Sequence, residues 1–466
     1  MTAALPVRSV DDLRGRRTVV LGLARSGVAA SRFLADAGAV VAAYDRRPAG
    51  DLAAAIAALG SRPVRLALGV SDADAAALLE HADLLVTSPS VSARFPTTDP
   101  WLREALVAAE ARGAEVVSEV GLFLRLTRSR VLGVTGTKGK TTTSSLLAAM
   151  LEAGGVPVVL GGNIGTPLIE RVTQLGPQDW AVLELSELQL PTIDRGVDVA
   201  LYTNIGEDHL DRHGSVEAYR AVKARLAELS DVGRIVLNAD DPGCVELGSR
   251  IAGDLRWYGF DDPQLQASVV DGWVVVGDER VLPVTDVRLP GRHMLANVLG
   301  ASLAATLVGV DGPAIARAVR GFSGVRHRLE AIRERQGVRW INDSQATIPV
   351  AAIAAIDAFD VPIVLITGGK DKGLEYAGFA DAIARRARAV VLIGETADAL
   401  ERLIAGRVPV SRAGDMDEAV AEAAALARGG DVVLLAPAAA SFDMFTDYAA
   451  RGDAFRAAVD RLGGDE

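Results

Sequence analysis

The residues best placed to do chemistry stand between Val131 and Thr142, in the run Val-Leu-Gly-Val-Thr-Gly-Thr-Lys-Gly-Lys-Thr-Thr. Val131 to Val134 reads as a buried strand, and Ser145 to Leu151 as the body of a following helix. Strand, glycine turn, Lys-Thr and helix N-terminus make a phosphate cradle, in which backbone N–H groups and the helix dipole hold the anion. Lys140 would neutralise the β- and γ-phosphates, and the Thr141 hydroxyl would sit on Mg²⁺. The common pattern Gly-x-x-x-x-Gly-Lys-Ser/Thr would put its first glycine at Val134. Here Gly136 takes that part, so the loop Thr135-Gly-Thr-Lys-Gly-Lys-Thr141 is shortened. A chain with this loop spends or senses ATP.

Other polar groups stand where strands end. Glu184 closes the run Ala181-Val-Leu-Glu, and a carboxylate at the tip of a parallel strand points into the ligand crevice. As a hard oxygen ligand it suits Mg²⁺; its bland alternative is a helix N-terminal acid. The stretch Thr203-Asn-Ile-Gly-Glu-Asp-His-Leu-Asp-Arg-His-Gly214 also follows a strand. Asp208, His209 and Asp211 could reach a metal from there, or form a solvated loop. Zinc is disfavoured, because no Cys/His tetrad accompanies them. Gly161-Gly-Asn-Ile-Gly-Thr-Pro167 is a tight turn from which Asn163 could contact phosphate. Lys223 lies in a helical stretch and, taken alone, reads as a solvated helix lysine. Further on, Arg326-His-Arg328, Trp340-Ile-Asn-Asp-Ser-Gln-Ala-Thr347, Gly368-Gly-Lys-Asp-Lys-Gly373 and Ala436-Pro-Ala-Ala-Ala-Ser-Phe-Asp-Met-Phe445 are polar or basic loops, most of them at strand ends.

The elements that must position these groups form three segments. In the first, a strand from Thr18 to Gly22, the loop Leu23-Ala-Arg-Ser-Gly27, a helix and a strand from Ala39 to Tyr44 ending at Asp45 make a β–α–β unit of dinucleotide-fold type. Gly-Leu-Ala-Arg-Ser-Gly is not Gly-x-Gly-x-x-Gly, so NAD is disfavoured. A nucleotide diphosphate at the helix N-terminus, with Asp45 on its base or sugar, is equally allowed. Further strands fall at Leu84–Thr87 and Glu115–Ser118. The second segment starts near Glu119 with strands at Val156–Leu160, Ala181–Leu185, Val199–Asn204 and Ile235–Asn238, then short β pieces from Trp257 to Val287. The third starts near Val325. Its strands at Val338–Ile341, Ile363–Thr367, Ala389–Ile393 and Val432–Leu435 alternate with Ala-rich helices, the pattern of a parallel sheet covered on both faces.

The 466 residues carry a net charge of −11, which argues against broad nucleic-acid binding. Cys244 is the single cysteine, so no intramolecular disulfide forms, in keeping with a reducing compartment. The N-terminus has no apolar signal core. The longest uncharged run, Met294 to Val310, reads as a buried Ala-rich helix rather than a membrane span. A cytoplasmic protein with no membrane insertion is expected.

The ordered set Thr-Gly-Thr-Lys-Gly-Lys-Thr-Thr, Gly-Gly-Asn-Ile-Gly-Thr-Pro, Glu-Leu-Ser-x-x-Gln, Asn-x-x-Glu-Asp-His-Leu-Asp-Arg-His, Leu-Pro-Gly-Arg-His, His-Arg-Leu-Glu, Asn-Asp-Ser-x-Ala-Thr, Gly-Gly-Lys-Asp-Lys-Gly and Ser-Phe-Asp-Met-Phe resembles the Mur ligases of peptidoglycan synthesis, in their glutamate-adding branch. It covers nearly the whole chain. The resemblance implies an α/β protein of three domains: a Rossmann-like UDP-substrate domain (1–118), a central P-loop-type ATPase domain (119–324) and a C-terminal Rossmann-like glutamate domain (325–466). It implies an ATP-dependent amide ligase, using Mg²⁺ or Mn²⁺, that adds D-glutamate to UDP-N-acetylmuramoyl-L-alanine through an acyl phosphate. A cytoplasmic monomer is expected.

Residue by residue, the resemblance puts Arg25, Ser26, Asp45, Arg47, Ser88 and Pro89 on the UDP part of the substrate. Gly136, Thr137, Lys138, Gly139, Lys140, Thr141, Thr142 and Asn163 would serve ATP, with Asn297 facing adenine and Arg328 and Asp343 nearby. Thr141, Glu184, His209 and a carbamylated Lys223 would hold the metal. Thr347, Lys372, Ser441 and Phe442 would hold glutamate, and Lys140, Glu184, His209, Lys223 and Lys372 would carry catalysis. The chain departs from the family pattern at Glu187, Gln345, Ser90 and Met294, and a related branch adds L-glutamate to the same nucleotide. Folylpolyglutamate synthase shares the ATPase core but lacks a uridine-type first domain. A silent nucleotide-binding regulator is disfavoured by the retained Lys140, Glu184, His209 and Lys223.

Overall fold

The computed structural model describes residues 6–95, 97–208, 213–230, 233–260, 262–288 and 291–463. It divides into two compact units, Met1–Phe322 and Ser323–Glu466. The first unit holds two sheets and the second unit one.

The first sheet comprises β1 (Arg17–Leu21), β2 (Val40–Asp45), β3 (Val64–Leu68), β4 (Leu84–Thr87) and β5 (Glu115–Ser118). Its order is β3-β2-β1-β4-β5, and every pairing is parallel. The chain winds one way from β1 to β3 and the other way from β4 to β5. This switch opens a crevice at the carboxyl ends of β1 and β4, the place where open α/β sheets bind ligands.

The second sheet has nine strands: β6 (Arg130–Thr135), β7 (Val158–Gly162), β8 (Trp180–Glu184), β9 (Val199–Tyr202), β10 (Arg234–Asn238), β11 (Asp254–Tyr258), β12 (Ala267–Val270), β13 (Trp273–Val276) and β14 (Glu279–Pro283). Their order is β14-β13-β12-β11-β10-β9-β6-β8-β7. Pairings from β7 to β12 are parallel, and β13 and β14 continue as an antiparallel meander. The uncharged run read as one buried helix is helix Arg292–Val308, buried without a break from Asn297 to Ala305. It ends where Gly309 takes a left-handed conformation, a common C-terminal stop. It shares a core with helix Lys140–Ala153, which is why so few of its residues are polar.

Helix Glu119–Leu126 explains why the two sheets make one unit. Seven of its eight residues are buried. One apolar cluster runs through it, from Val20 and Val41 of the first sheet to Val131 and Leu183 of the second. The expected division at 118/119 falls at the start of this helix.

In the second unit the strands are β15 (Glu330–Arg335), β16 (Val338–Asn342), β17 (Ile363–Gly368), β18 (Ala387–Ile393), β19 (Val410–Arg412) and β20 (Val432–Leu435), in the order β15-β16-β20-β17-β18-β19. The expectation of a parallel sheet holds for five strands and fails at one edge, where β15 runs antiparallel to β16. That strand, Glu-Ala-Ile-Arg-Glu-Arg, is too charged to show an apolar run. Among the described residues no helix is long and apolar enough to cross a membrane.

Candidate active site

The phosphate loop leaves β6 and enters helix Lys140–Ala153 through Gly136 and Gly139. Gly136 has φ +150° and Gly139 φ +83°. A Cβ at 136 would collide with the Thr203 hydroxyl, and one at 139 would lie 2.7 Å from Asn297 Oδ1. The second approach puts Asn297, expected to face adenine, directly against the loop. We expect Gly136→Ala to destabilise the protein by ~1–3 kcal/mol, the cost of one strained backbone position. Chemical denaturation would measure it, and an unchanged midpoint would refute the strain.

Segment 203–208 clamps the loop from outside. The Thr137 N–H donates to Asn204 O at 2.9 Å and the Lys138 N–H to Asn204 Oδ1 at 2.9 Å. Thr203 Oγ1 and Asn204 Nδ2 both donate to Lys138 O, at 2.6 and 3.0 Å. Thr137 Oγ1 accepts the Gly206 N–H and lies 3.0 Å from the Tyr219 hydroxyl. Lys138 pairs with Asp208 at 3.1 Å, which draws that carboxylate toward the loop. Lys140 folds back over the loop, donating to Gly136 O at 2.9 Å and Thr137 O at 3.0 Å.

Lys223 departs most from its plain reading. Rather than solvated, it is 0% exposed, on helix Val216–Leu229. Its ammonium donates to Gly136 O at 2.9 Å, the same oxygen that Lys140 holds, and reaches Thr135 Oγ1 at 3.4 Å. Tyr219, one turn earlier, lies 5.4 Å away beneath it. Burial, and then the charge of Lys140, bring the Lys223 ammonium down to about 7.

Glu184 closes β8 beside β6 and β7. Its Oε1 accepts the Asn163 amide at 2.8 Å, so Asn163 orients the carboxylate. Its Oε2 is buried and, among the described residues, has no hydrogen-bond partner. A buried oxygen of this kind demands an occupant, and a hard divalent cation fits it. Among the described residues no three His, Cys, Asp or Glu side chains converge as metal ligands. His209 and Asp211, read as candidates, lie outside the described residues.

In the crevice of the first sheet a cavity of about 440 Å³ is lined by Gly22, Asp45, Arg47, Ser88, Ser90 and Thr97, among others. Asp45 is buried and organises its mouth. It accepts the Leu23 N–H at 2.9 Å and the Arg47 N–H and guanidinium at 2.8–3.0 Å. Burial works to raise this carboxyl, but the Arg47 and Leu23 bonds outweigh it and hold it at about 2. Ser88 and Ser90 exchange a hydroxyl bond of 3.0 Å across Pro89. Arg25 and Ser26 begin helix Arg25–Asp36 at the same end of the sheet.

In the second unit the expected residues also stand after strands. His327 and Leu329 both have positive φ, a backbone conformation that turns Arg328 between them. The Leu329 N–H donates to Asp343 Oδ1 at 3.0 Å, and burial raises that carboxyl to about 6. Lys372 donates to Thr347 O at 3.0 Å, joining two expected glutamate-side residues. Ser441 is buried, whereas Phe442 beside it is 70% exposed. Lys370, on the loop that carries Lys372, is engaged by Glu395 at 2.6 Å.

Sequence reasoning missed Tyr219, which supports both the loop and Lys223. Its spacing of four from Lys223, on one helix face, was the available signal. It also missed Arg451, described below, which nothing in the sequence separates from the chain's other arginines.

A phosphate loop backed by a buried lysine and an orphaned carboxylate, a nucleotide-sized crevice and a second α/β unit define a nucleotide-using α/β enzyme. Comparison with known proteins places it further. The Mur ligase MurD-like N-terminal domain matches residues 16–118, the Mur ligase middle domain 134–305 and the Mur ligase glutamate ligase domain 327–439. The chain is 40% identical over 455 residues to UDP-N-acetylmuramoylalanine–D-glutamate ligase of Solibacter usitatus, covering 97% of this chain and 99% of that one. It is 40% identical over 449 residues to the enzyme of that name from Nitrosococcus oceani, covering 95% and 96%. The solved UDP-N-acetylmuramate–alanine ligase of Thermotoga maritima shares the fold, with TM-score 0.56 at 17% identity over 96% of this chain and 100% of that one. The chain belongs to the Mur ligase family, whose members use ATP and Mg²⁺.

Proposed function

We propose that this chain joins D-glutamate to the alanyl carboxylate of UDP-N-acetylmuramoyl-L-alanine at the expense of ATP, in the synthesis of peptidoglycan precursors. It thereby serves cell-wall formation, shape and division. The near full-length likeness to enzymes of that name supports the substrate, and the buried, orphaned Glu184 oxygen beside the phosphate loop supports the chemistry. The domains are 1–118 for the UDP substrate, 119–324 for ATP and 325–466 for glutamate. The enzyme acts in the cytoplasm as a monomer.

In this reading the crevice of the first sheet takes the nucleotide: Arg25 and Ser26 at the helix start face the diphosphate, and Asp45, Arg47, Ser88 and Pro89 the rest. Gly136 to Thr142 cradle the ATP phosphates, with Asn163 nearby, Asn297 at adenine, and Arg328 and Asp343 serving the same nucleotide. Thr141, Glu184, His209 and a carbamylated Lys223 hold Mg²⁺, which when bound supplies charge stabilisation to the transferring phosphoryl group. Lys140 gathers γ-phosphate charge as the alanyl carboxylate attacks phosphorus in line and ADP leaves. Thr347, Lys372, Ser441 and Phe442 hold glutamate, whose amine displaces phosphate from the acyl phosphate and forms the amide.

The test is incubation with ATP, Mg²⁺ and UDP-N-acetylmuramoyl-L-alanine, with D- or L-glutamate supplied separately, reading phosphate release and product mass. Product with the D form alone is expected. Product with the L form alone would move the enzyme to the related branch and direct attention to Gln345. No product with either would overturn the assignment.

A further inference from the structure

Arg451, on helix Tyr448–Arg461 of the second unit, is only 1% exposed. Its Nε donates to Ser344 Oγ at 3.0 Å and its Nη2 to Ser344 O at 2.9 Å. Its Nη1 donates to Ala439 O at 3.1 Å and Ala440 O at 3.0 Å. All these acceptors are neutral. Among the described residues no carboxylate hydrogen-bonds or ion-pairs with this guanidinium. Asp443 lies within electrostatic range, but one of its oxygens accepts the Glu395 N–H instead. Buried charges are costly and are ordinarily paired, as the buried Asp431 is with Arg388 in the same unit.

The acceptors lie on functional loops. Ser344 follows β16, on the loop that carries Thr347; Ala439 and Ala440 follow β20, on the loop that carries Ser441. Ala440 also exchanges both backbone bonds with Lys370, at 2.9 and 3.2 Å, on the loop after β17 that carries Lys372. Lys372 then closes the ring on Thr347 O. The rigid fork of one guanidinium brackets two of these loops directly, and Ala440 ties the third to them.

We propose that Arg451 is the positioning and specificity residue of the amino-acid site: its fork sets the three loops, and its charge, matched by no contacting carboxylate, selects an acceptor with a side-chain carboxylate over the neutral carboxamide. This rests on the glutamate reading above. The charge is already felt at the site, since Arg451 adds to burial in lowering the Lys372 ammonium.

The test compares the full-length wild type with Arg451→Lys and Arg451→Gln, with folding checked by thermal melting. KM for D-glutamate is measured beside the inhibition constant of D-glutamine against it. Losing the charge is expected to raise the glutamate KM and to collapse the glutamine-to-glutamate ratio by about tenfold, the worth of one modest electrostatic preference. In Arg451→Lys the KM rises as the fork is lost, while the ratio is kept. A wild-type ratio in Arg451→Gln reduces Arg451 to a structural role and overturns the proposal. If Arg451→Gln does not fold, Arg451→Lys decides: a retained ratio supports the charge, and a collapsed one overturns it. A wild type that makes no product with glutamate overturns the functional reading, and this inference with it.

Discussion

Lys140→Ala is expected to lose ATP-dependent turnover by a factor on the order of 10²–10³, the loss that follows removal of one preorganised charge-stabilising donor. The ammonium starts a helix and lies over the loop, 2.9 Å from Gly136 O and 3.0 Å from Thr137 O. These carbonyls park the side chain where phosphate oxygens would take it up. The loop itself is built by other groups: Thr203, Asn204, Gly206 and Tyr219 hold its backbone and the Thr137 hydroxyl. Removing Lys140 therefore empties the charge without unmaking the cradle. The thermal midpoint should stay near the wild-type value while phosphate release collapses. Turnover within a factor of about three of the wild type would sink the assignment, since positioning and electrostatics are most of what a phosphoryl-transfer site contributes.

How far the sequence reads depends on where the information resides. Strands buried on both faces, such as β6 and β17, appear as apolar runs because both sides of the strand need hydrophobic partners. β3 escapes that rule: Val-Arg-Leu-Ala-Leu leaves Arg65 and Leu66 exposed, so no run forms. β15 escapes it as a charged edge. The phosphate loop is local, and its glycines, lysine and hydroxyls announce themselves in order. Lys223 is the opposite case. Nothing near it in sequence says that Thr135 and Gly136, on another element, will take it out of water. The resemblance to a family singles it out, whereas its residue type and neighbours point to a solvated surface. Arg451 is harder still, because its meaning comes from carbonyls on two loops closed by long-range pairing.

Lys223→Ala carries the second large effect: a loss of turnover of roughly 10²-fold, as expected when a charge-organising group leaves a preorganised site. A bare ammonium is an odd tenant here. It is fully buried, shares the Gly136 carbonyl with the Lys140 ammonium and stands beside a loop meant for anions. Two cations on one acceptor repel, and burial penalises the charged form further. The neutral amine is therefore accessible near neutral pH, and it is the form that adds to carbon dioxide. A carbamate formed there would turn the repulsion with Lys140 into attraction and would offer a second acid within electrostatic range of Glu184, whose Oε2 is orphaned. Deleting the side chain also deletes its volume, so a short carboxylic acid such as acetate should enter and restore part of the turnover of Lys223→Ala. The same acid should do nothing for Lys140→Ala, which lacks a cation rather than an anion. Wild-type enzyme depleted of carbon dioxide should weaken and recover on adding bicarbonate. Lys223→Ala with wild-type turnover in the absence of any added acid would remove the carbamate from the mechanism. An inactive Lys223→Ala that no carboxylic acid rescues, beside a wild type indifferent to bicarbonate, would leave Lys223 as a support for the Gly136 carbonyl alone.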